Sequence, residues 1–481
     1  MSRQEIGLWL GPAAAIGMQL LPTPAGMAEP AWIVASMVLL MATWWVTEAV
    51  PIPVTSLIPL VVLPISGVAP IADAAGPYSS PIVLMLLGGF IIATSVERWQ
   101  LHSRIALNIV VRAGSSPAGI VGGFMLASAV LSMWISNTAT TIMLTPIAVS
   151  VSYAILGPSA RNAPLTIAIL LGLAYGSSIG GLATPIGTPT NLIVLGYLEN
   201  EFGITIGFAQ WMSIGLPVVA VMLPACWFTV TRLGLKLPTS GGSEGQLKIR
   251  EALTKLGPMT VPERRVMITF AVIAAAWILR RPLNALEFGD IRPLAGMTDH
   301  VVAIAGVIAL FLINAGDSNQ PKERLLDWPT ASRIPWGVLL LFGGGLSMAK
   351  SITTSGLAVW LGESLVSVTA WPLIFMIAVL VVFVIFATEV ASNVATASSL
   401  LPVIGALALA GDVSPVLLSL PIAMAASCAF MLPIATGPNA IVFSTGEVTI
   451  PQMAKVGFLL NVMGVVLITL VIYVVAPFVV E

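Results

Sequence analysis

The sequence predicts an all-α polytopic membrane protein with roughly ten or more membrane crossings. Its 481 residues are 57% hydrophobic and only 9% charged, whereas soluble domains carry about 25% charged residues. The charges are clustered, and they leave the uncharged tracts 6–28, 49–72, 74–96, 113–160, 202–231, 413–446 and 456–480. These tracts are continuously apolar, whereas the strands of an outer-membrane barrel alternate apolar and polar residues. They therefore predict membrane-spanning helices.

Charge and residue usage argue against several other classes of protein. The chain has 20 Lys and Arg against 21 Asp and Glu, so no excess of positive charge predicts nucleic-acid binding. Cys226 and Cys428 both lie in apolar tracts and form no CxxC motif, which argues against a disulfide framework or a metal site. The sequence contains no nucleophilic triad, P-loop or HExxH motif. We therefore expect neither an enzyme nor an ATP-driven pump.

One polar segment, 232–265, divides the chain into an N-terminal half, 1–231, and a C-terminal half, 266–481. The segment carries seven Lys and Arg residues against three Glu residues. An excess of positive charge is typical of cytoplasmic loops. The segment is therefore predicted to be a cytoplasmic linker.

The two halves contain copies of one string. Residues 136–140 read Ser-Asn-Thr-Ala-Thr, and residues 392–396, 256 positions later, read Ser-Asn-Val-Ala-Thr. Leu and Pro follow both strings at the same spacing, and a Gly-Gly pair precedes both in the same register. A shared string at a constant offset predicts an internal duplication.

A second pair of strings follows, and it indicates how the copies are oriented. Residues 187–191 read Gly-Thr-Pro-Thr-Asn, and residues 435–439 read Ala-Thr-Gly-Pro-Asn. Five apolar segments separate the two Ser-Asn strings: 163–198, 211–231, 266–281, 301–316 and 335–350. An odd number of crossings makes the second copy enter the membrane from the opposite face. The repeats are therefore predicted to be inverted.

Each Ser-Asn string is predicted to form the tip of a re-entrant helical hairpin, at about 116–155 in the first copy and 370–410 in the second. The tract 113–160 is too long for one crossing, and its midpoint is small, polar and uncharged. Such a tip suits irregular backbone that lines a cavity at membrane depth. The alternative is two complete spans joined by a short loop. Broken helices are predicted to follow, at about 165–200 and 415–446.

The two hairpin tips and the two breaks, which are the Pro-containing interruptions at 187–191 and 435–439, predict ion binding. Ser, Asn and Thr favour the N-cap, and Pro favours the first helical turn, so a helix begins at each tip and after each break. Four helix N-termini that converge near the midplane suit an anion, while carbonyl ends and the Asn137 and Asn393 side-chain oxygens suit a small cation. The pattern predicts a secondary transporter of an anion. The alternative is that these residues only pack helices together, which we prefer for Ser95 or Ser132 taken alone.

Two acidic residues and two mixed segments are weaker candidates. Glu48 either has a functional role or marks a membrane boundary. Glu389 lies within an apolar tract, where a carboxylate is a functional candidate, but the first copy has Met133 at this position, so we expect no symmetric role. Segments 98–112 and 350–363 are predicted to be amphipathic helices at the membrane interface.

With the string Trp-Val-Thr-Glu-Ala-Val-Pro at 45–51, both hairpin tips and both breaks, the chain resembles the divalent anion/sodium symporter family, which transports dicarboxylates, citrate or sulfate. The resemblance covers nearly the whole chain. It implies a homodimeric, multi-pass protein of the cell (inner) membrane, with about eleven transmembrane helices and two re-entrant hairpins per protomer. It also implies an elevator mechanism, in which a transport domain slides against a dimeric scaffold, with sodium as the coupling ion and no other cofactor.

The resemblance further implies site residues, position by position. The substrate-binding residues would be Ser136, Asn137, Thr138, Thr188, Pro189, Ser392, Asn393 and Thr436. The first sodium site would use Ser132, Ser136, Asn137 and Gly187, and the second would use Thr388, Ala391, Asn393 and Ala435. Several of these positions would act through backbone carbonyls, so their side chains are less diagnostic.

Two positions depart from the repeat and bear on the substrate. Val394 stands where the first tip has Thr138, and Gly437 stands where the first copy has Pro189. The resulting hypothesis is sodium-coupled symport of C4-dicarboxylates such as succinate, malate and fumarate. The alternatives are a sodium-independent dicarboxylate exchanger, a sodium/sulfate symporter and, from another class, an anion channel. A channel would need a continuous pore, and the sequence indicates none.

Overall fold

The computed structural model describes residues 2–235, 237, 243–287, 291–316, 320, 322–364 and 371–480. The regular secondary structure of these residues is helical, apart from one isolated antiparallel bridge between Asn314 and Arg324. The prediction of an all-α chain is confirmed. Residues 236 and 238–242 of the predicted linker, and residue 370 at the start of the second predicted hairpin, lie outside the described residues.

The helices follow the apolar tracts of the sequence. Those that precede the linker are α1 (Arg3–Gln19), α2 (Glu29–Thr47), α3 (Ile52–Thr55), α4 (Pro59–Ile65), α5 (Ile71–Ala75), α6 (Pro81–Arg98), α7 (Leu101–Arg112), α8 (Pro117–Ser132), α9 (Asn137–Leu156), α10 (Pro164–Gly180), α11 (Pro189–Phe202) and α12 (Phe208–Phe228). Short 3-10 helices form at Gly76–Ser79, Gly157–Ala160 and Gly181–Ala183, and a π-helical turn at Thr229–Gly234.

The remaining helices are α13 (Ser243–Lys255), α14 (Val261–Ile278), α15 (Arg280–Asn284), α16 (Asp299–Leu312), α17 (Trp328–Ala331), α18 (Trp336–Thr354), α19 (Leu357–Ser364), α20 (Leu373–Thr388), α21 (Asn393–Ala410), α22 (Pro415–Ala426), α23 (Gly437–Ser444) and α24 (Ile450–Val480). Helix α13 lies in the linker and packs against α7 and α9. An ion pair of 3.1 Å between Arg104 of α7 and Glu263 of α14 fastens the next helix in place.

Eight helical segments of the described chain are long and apolar enough to cross a membrane: Glu29–Thr47, Ile71–Arg98, Asn137–Ala160, Pro164–Ala183, Phe208–Gly234, Trp336–Thr354, Asn393–Ala410 and Ile450–Pro477. Shorter apolar helices accompany them, including α8, α16, α20 and α22. The polytopic character is therefore confirmed. The number of eleven crossings stays a prediction.

Helices α8 and α20, the first arms of the two predicted hairpins, are shorter than a bilayer requires. Each has 16 residues, which is about 24 Å of helix against a hydrocarbon core of about 30 Å. Each arm ends in a four-residue turn, 133–136 or 389–392, before the second arm, α9 or α21, begins. Arms of this length fit re-entrant hairpins whose tips lie inside the membrane.

The two halves of the chain interlock. Helix α10 packs against both arms of the first hairpin, and α22 packs against both arms of the second. In addition, α9 packs against α23, and α21 packs against α11. Each hairpin therefore contacts the broken helix of the other half, and this packing brings the tips and breaks into one region.

Candidate substrate and cation site

The first hairpin tip gathers four of the predicted site residues. Ser132 ends α8 and is fully buried, Ser136 is the N-cap of α9, and Asn137 is the first residue of that helix. The Ser136 hydroxyl accepts a hydrogen bond from Ala139 N at 3.1 Å and so caps α9. The Ser132 hydroxyl donates to Asn137 Oδ1. Thr138 follows with an exposed side chain.

The first break, which separates α10 from α11, lies directly against this tip. A Cβ atom at Gly181 would lie 2.7 Å from Asn137 Oδ1 and 3.0 Å from Gly187 O, so these two oxygens border one small space. A Cβ atom at Gly187 would overlap the Gly181 carbonyl oxygen. Glycine is therefore required at both positions for this close approach. The contact brings together three of the predicted sodium ligands, Ser132, Asn137 and Gly187.

The second hairpin tip repeats the central hydrogen bond. Thr388 ends α20 fully buried, and its hydroxyl donates to Asn393 Oδ1 at 2.7 Å. The same hydroxyl lies 3.1 Å from Ala426 O at the end of α22. Ser392 is the N-cap of α21 without a side-chain capping bond, and Ala391 is half-buried in the turn. Each tip therefore holds an asparagine amide by a hydroxyl five residues earlier.

The remaining predicted residues lie at the two breaks. Thr188 is the N-cap of α11 and Pro189 is its first residue. Thr436 is the N-cap of α23, and its hydroxyl accepts a hydrogen bond from Asn439 N at 3.2 Å. Ala435, before this cap, is buried. All four helices α9, α11, α21 and α23 therefore have a predicted site residue as their N-cap.

Contacts between the halves connect these helix starts. The Thr190 hydroxyl lies 2.8 Å from the Ser427 hydroxyl, and 3.4 Å from the Thr188 hydroxyl. A Cβ atom at Gly437 would overlap the Thr138 hydroxyl oxygen, so α23 begins against the first tip. Among the described residues, no hydrogen bond joins one tip directly to the other. The breaks join them instead.

The Glu389 carboxylate has a structural role that the sequence did not predict. It accepts hydrogen bonds from Phe430 N at 2.8 Å, Met431 N at 2.9 Å, Leu432 N at 3.0 Å and Asn461 Nδ2 at 2.7 Å. It therefore fastens the second tip to the second break. In the first copy, the Thr184 hydroxyl donates to Met133 O instead. The two copies therefore connect tip and break through different groups at this position.

A basic residue also reaches the second tip from far away in the chain. Arg3 at the start of α1 donates a hydrogen bond from Nη2 to Val390 O at 2.9 Å. The tip strings themselves contain no Lys or Arg, and the separation of 387 residues hides this contact from any local pattern. Glu48 ends α2 in the left-handed conformation, with φ 51°, which is uncommon for a residue other than glycine.

The chemistry of the region suits ions that are held by neutral groups. Its predicted ligands are hydroxyls, amides and backbone carbonyls, and no three His, Cys, Asp or Glu side chains in the described parts of the chain form a metal site. Helix N-termini carry a partial positive charge that favours an anion, while carbonyl and amide oxygens favour a small cation. The residue types in this region therefore suit both kinds of ion.

Comparison with known proteins identifies the family. The family model described as "Sodium:sulfate symporter transmembrane region" matches residues 4–480. The chain belongs to this family. This member of the sodium:sulfate symporter family is therefore an integral membrane transporter and not an enzyme, as the sequence predicted.

Relatives of this symporter-family chain carry a more specific description. It is 41% identical over 480 residues to the "Sodium-dependent dicarboxylate transporter SdcS" of Staphylococcus saprophyticus, covering 98% of this chain and 92% of the relative. It is 40% identical over 482 residues to SdcS of Staphylococcus aureus (strain USA300), covering 99% of this chain and 92% of the relative.

A solved structure shares the fold of this family member. The crystal structure of the Alcanivorax borkumensis YdaH transporter, whose title reports an unusual topology, matches with a TM-score of 0.58. The match covers 92% of this chain and 98% of the YdaH chain at 15% sequence identity. This similarity supports the fold alone.

Proposed function

We propose that the protein is a sodium-coupled transporter of C4-dicarboxylates such as succinate, malate and fumarate. The observation that carries the proposal is the duplicated hydroxyl–amide pair at the hairpin tips, Ser132 with Asn137 and Thr388 with Asn393. Relatives about 40% identical over nearly the whole chain are described as sodium-dependent dicarboxylate transporters. This description of the relatives favours a dicarboxylate over sulfate as the substrate.

The substrate is proposed to lie between the helix starts. One carboxylate meets Ser136, Asn137 and Thr138 with Thr436 of the other half, and the second meets Ser392 and Asn393 with Thr188 and Pro189. Contact between α23 and the first tip, seen at Gly437 and Thr138, supports this pairing of tip with opposite break. Backbone N–H groups and the helix dipole would then replace the water around each carboxylate.

Sodium is proposed to bind on the other side of each asparagine amide. The first ion would be held by Ser132, Ser136, Asn137 and Gly187, and the second by Thr388, Ala391, Asn393 and Ala435. Because these ligands are uncharged, two sodium ions would offset the two charges of the dicarboxylate and lower the cost of its desolvation. An ion beside Oδ1 would also orient the amide, so that its N–H groups face the anion.

Transport is proposed to follow an elevator mechanism in a homodimer. The hairpins and broken helices interlock as one bundle. A bundle of this kind can carry both ions across the membrane while the contacts between its own helices stay intact.

Succinate uptake into proteoliposomes tests the proposal. We expect an inward sodium gradient to drive accumulation, and replacement of sodium by choline to abolish it. Asn137→Ala and Asn393→Ala should each lower uptake by roughly ten-fold or more, because each loses a hydrogen bond to a charged group. Both variants should still insert into the membrane.

Three outcomes would contradict parts of this proposal. Uptake that is independent of sodium but requires internal dicarboxylate would identify an exchanger. Sulfate that competes better than succinate would identify a sulfate transporter. Wild-type rates in either asparagine variant would remove the tips from the site.

A further inference from the structure

We propose that Asn191 and Asn439 are positioning residues that fix the geometry of the two cation sites. Neither is among the proposed ligands, and the inference rests on the proposed function. Each asparagine lies in the first turn of the helix that follows a break, and each is fully buried. Their role is to hold the break in the shape that presents the carbonyls of Gly187 and Ala435.

In the first copy, one side chain closes the break onto itself. Asn191 Nδ2 donates to Gly181 O at 2.9 Å and to Thr184 O at 2.8 Å. Gly187 N donates to the same Thr184 O at 3.3 Å, which makes a turn over residues 184–187. The amide therefore ties the start of α11 to Gly181 and to Thr184, the first residue of the turn that carries the proposed ligand, Gly187.

The second copy contains the same three hydrogen bonds at a constant offset of 248 residues. Asn439 Nδ2 donates to Ala429 O at 3.0 Å and to Leu432 O at 3.0 Å. Ala435 N donates to the same Leu432 O at 3.2 Å. The turn over residues 432–435 therefore matches the turn over 184–187 bond for bond.

The surrounding residues do not explain this agreement. Gly181, Thr184 and Gly187 of the first break are replaced by Ala429, Leu432 and Ala435 in the second, so the turn forms with different side chains. Oδ1 of both asparagines is buried and has no hydrogen-bond partner. Burial of an unpaired oxygen is unfavourable, so the contribution of each side chain comes from its two N–H groups.

Both turns lie close to residues of the proposed cation sites. Gly181, which Asn191 holds, lies against Asn137 Oδ1 and Gly187 O. In the second copy, the Thr388 hydroxyl that holds Asn393 Oδ1 lies 3.1 Å from Ala426 O, at the end of the helix that leads into the break. Without the Nδ2 bonds, the carbonyls of each break could turn away from the ion, and sodium would have to order them on binding. A site that must be ordered by its ligand binds more weakly than a preformed one.

The test uses Asn191→Asp and Asn439→Asp, which keep the shape of the side chain and remove both donors. The measurement is the sodium concentration that half-saturates succinate uptake in proteoliposomes. We expect it to rise roughly ten-fold in each variant, since two hydrogen bonds are lost. A new negative charge alone would strengthen cation binding, so this direction distinguishes geometry from charge. Succinate affinity at saturating sodium should change by less than about two-fold.

Ser419→Ala is the matched control. Ser419 is fully buried in α22, and its hydroxyl has no hydrogen-bond partner, so we expect wild-type sodium dependence. If an Asp variant fails to insert, Asn191→Ser and Asn439→Ser, which retain one donor each, should give a smaller shift in the same direction.

Two results would overturn the inference. One is a half-saturating sodium concentration within about two-fold of wild type in the variants of both positions. The other is an equal loss of succinate affinity at saturating sodium, which would indicate a general structural role. Succinate uptake by the wild-type protein that does not depend on sodium would instead overturn the proposed function, and the inference with it.

Discussion

Single hydroxyl groups distinguish the two tips. Thr138 is exposed and touches the start of α23, whereas Val394 at the matching position is half-buried and packs against the apolar clusters around it. One of these clusters contains Trp45, whose indole Nε1 is buried without a partner. The second tip therefore offers one hydrogen-bond donor fewer to an anion than the first.

Val394→Thr should tighten succinate binding by roughly ten-fold. A hydrogen bond to a charged group contributes about 1.5–3 kcal/mol, and about 1.4 kcal/mol corresponds to a factor of ten. The reverse change in the first tip, Thr138→Val, should weaken binding by a similar factor. Succinate and sulfate affinities of both variants provide the measurement. Unchanged affinities for both anions in Val394→Thr would place this side chain away from the substrate.

Features of the helices that depend on short sequence strings could be predicted from the sequence, whereas contacts between residues distant in the chain could not. The tips, the breaks and the helix starts at Asn137 and Asn393 follow from local capping and proline rules. The carboxylate of Glu389 binds N–H groups at least 41 residues away, and no periodicity or spacing encodes such a contact. Asn191 and Asn439 were visible as a repeated residue, but their function required the turns that they close.

The start of α23 packs against the first tip at Thr138. Gly437→Ala should push the Thr138 hydroxyl out of its position, because the new Cβ atom would overlap it. We expect succinate affinity to fall roughly ten-fold, as for the loss of one charged hydrogen bond. The experiment is a double-mutant cycle with Thr138→Ala, which removes the overlapping oxygen.

The cycle should be strongly non-additive, since the two residues are in contact. Once Thr138 is alanine, the change at Gly437 should cost little more. Additive losses of affinity would show that the helix start and the first tip act independently.

An aromatic cluster joins the first hairpin tip to helices α12 and α14. Trp134 in the first tip stacks on Phe208 of α12 at 6.0 Å and meets the edge of Phe270 in α14 at 5.2 Å. Phe208 in turn stacks on Trp277 of α14 at 4.8 Å. The second tip has no such contact at the matching residue, Val390, which is 52% exposed. An elevator movement would have to break the contact between the first tip and α14.

Crosslinking tests this movement. Trp134→Cys and Phe270→Cys in one chain, joined by a short bis-maleimide, should reduce succinate uptake by roughly ten-fold or more, because the tip could no longer leave α14. The native Cys226 and Cys428 are buried, so the reagent has little else to reach. Each single-cysteine variant, treated in the same way, should transport normally. Full transport by the crosslinked protein would exclude a sliding movement between these two elements.

The interlocked halves also bear on how the protein is made. Chains emerge from the ribosome N-terminal end first, and Thr190 meets its partner, Ser427, only 237 residues later. Throughout most of translation, the first tip and first break are thus in the membrane without the elements that complete them. A prematurely terminated chain that lacks Thr436 and α23 would insert most of its apolar helices but would lack the group proposed to complete the surface for one carboxylate. In the proposed arrangement, the site would therefore be complete only when synthesis is nearly finished.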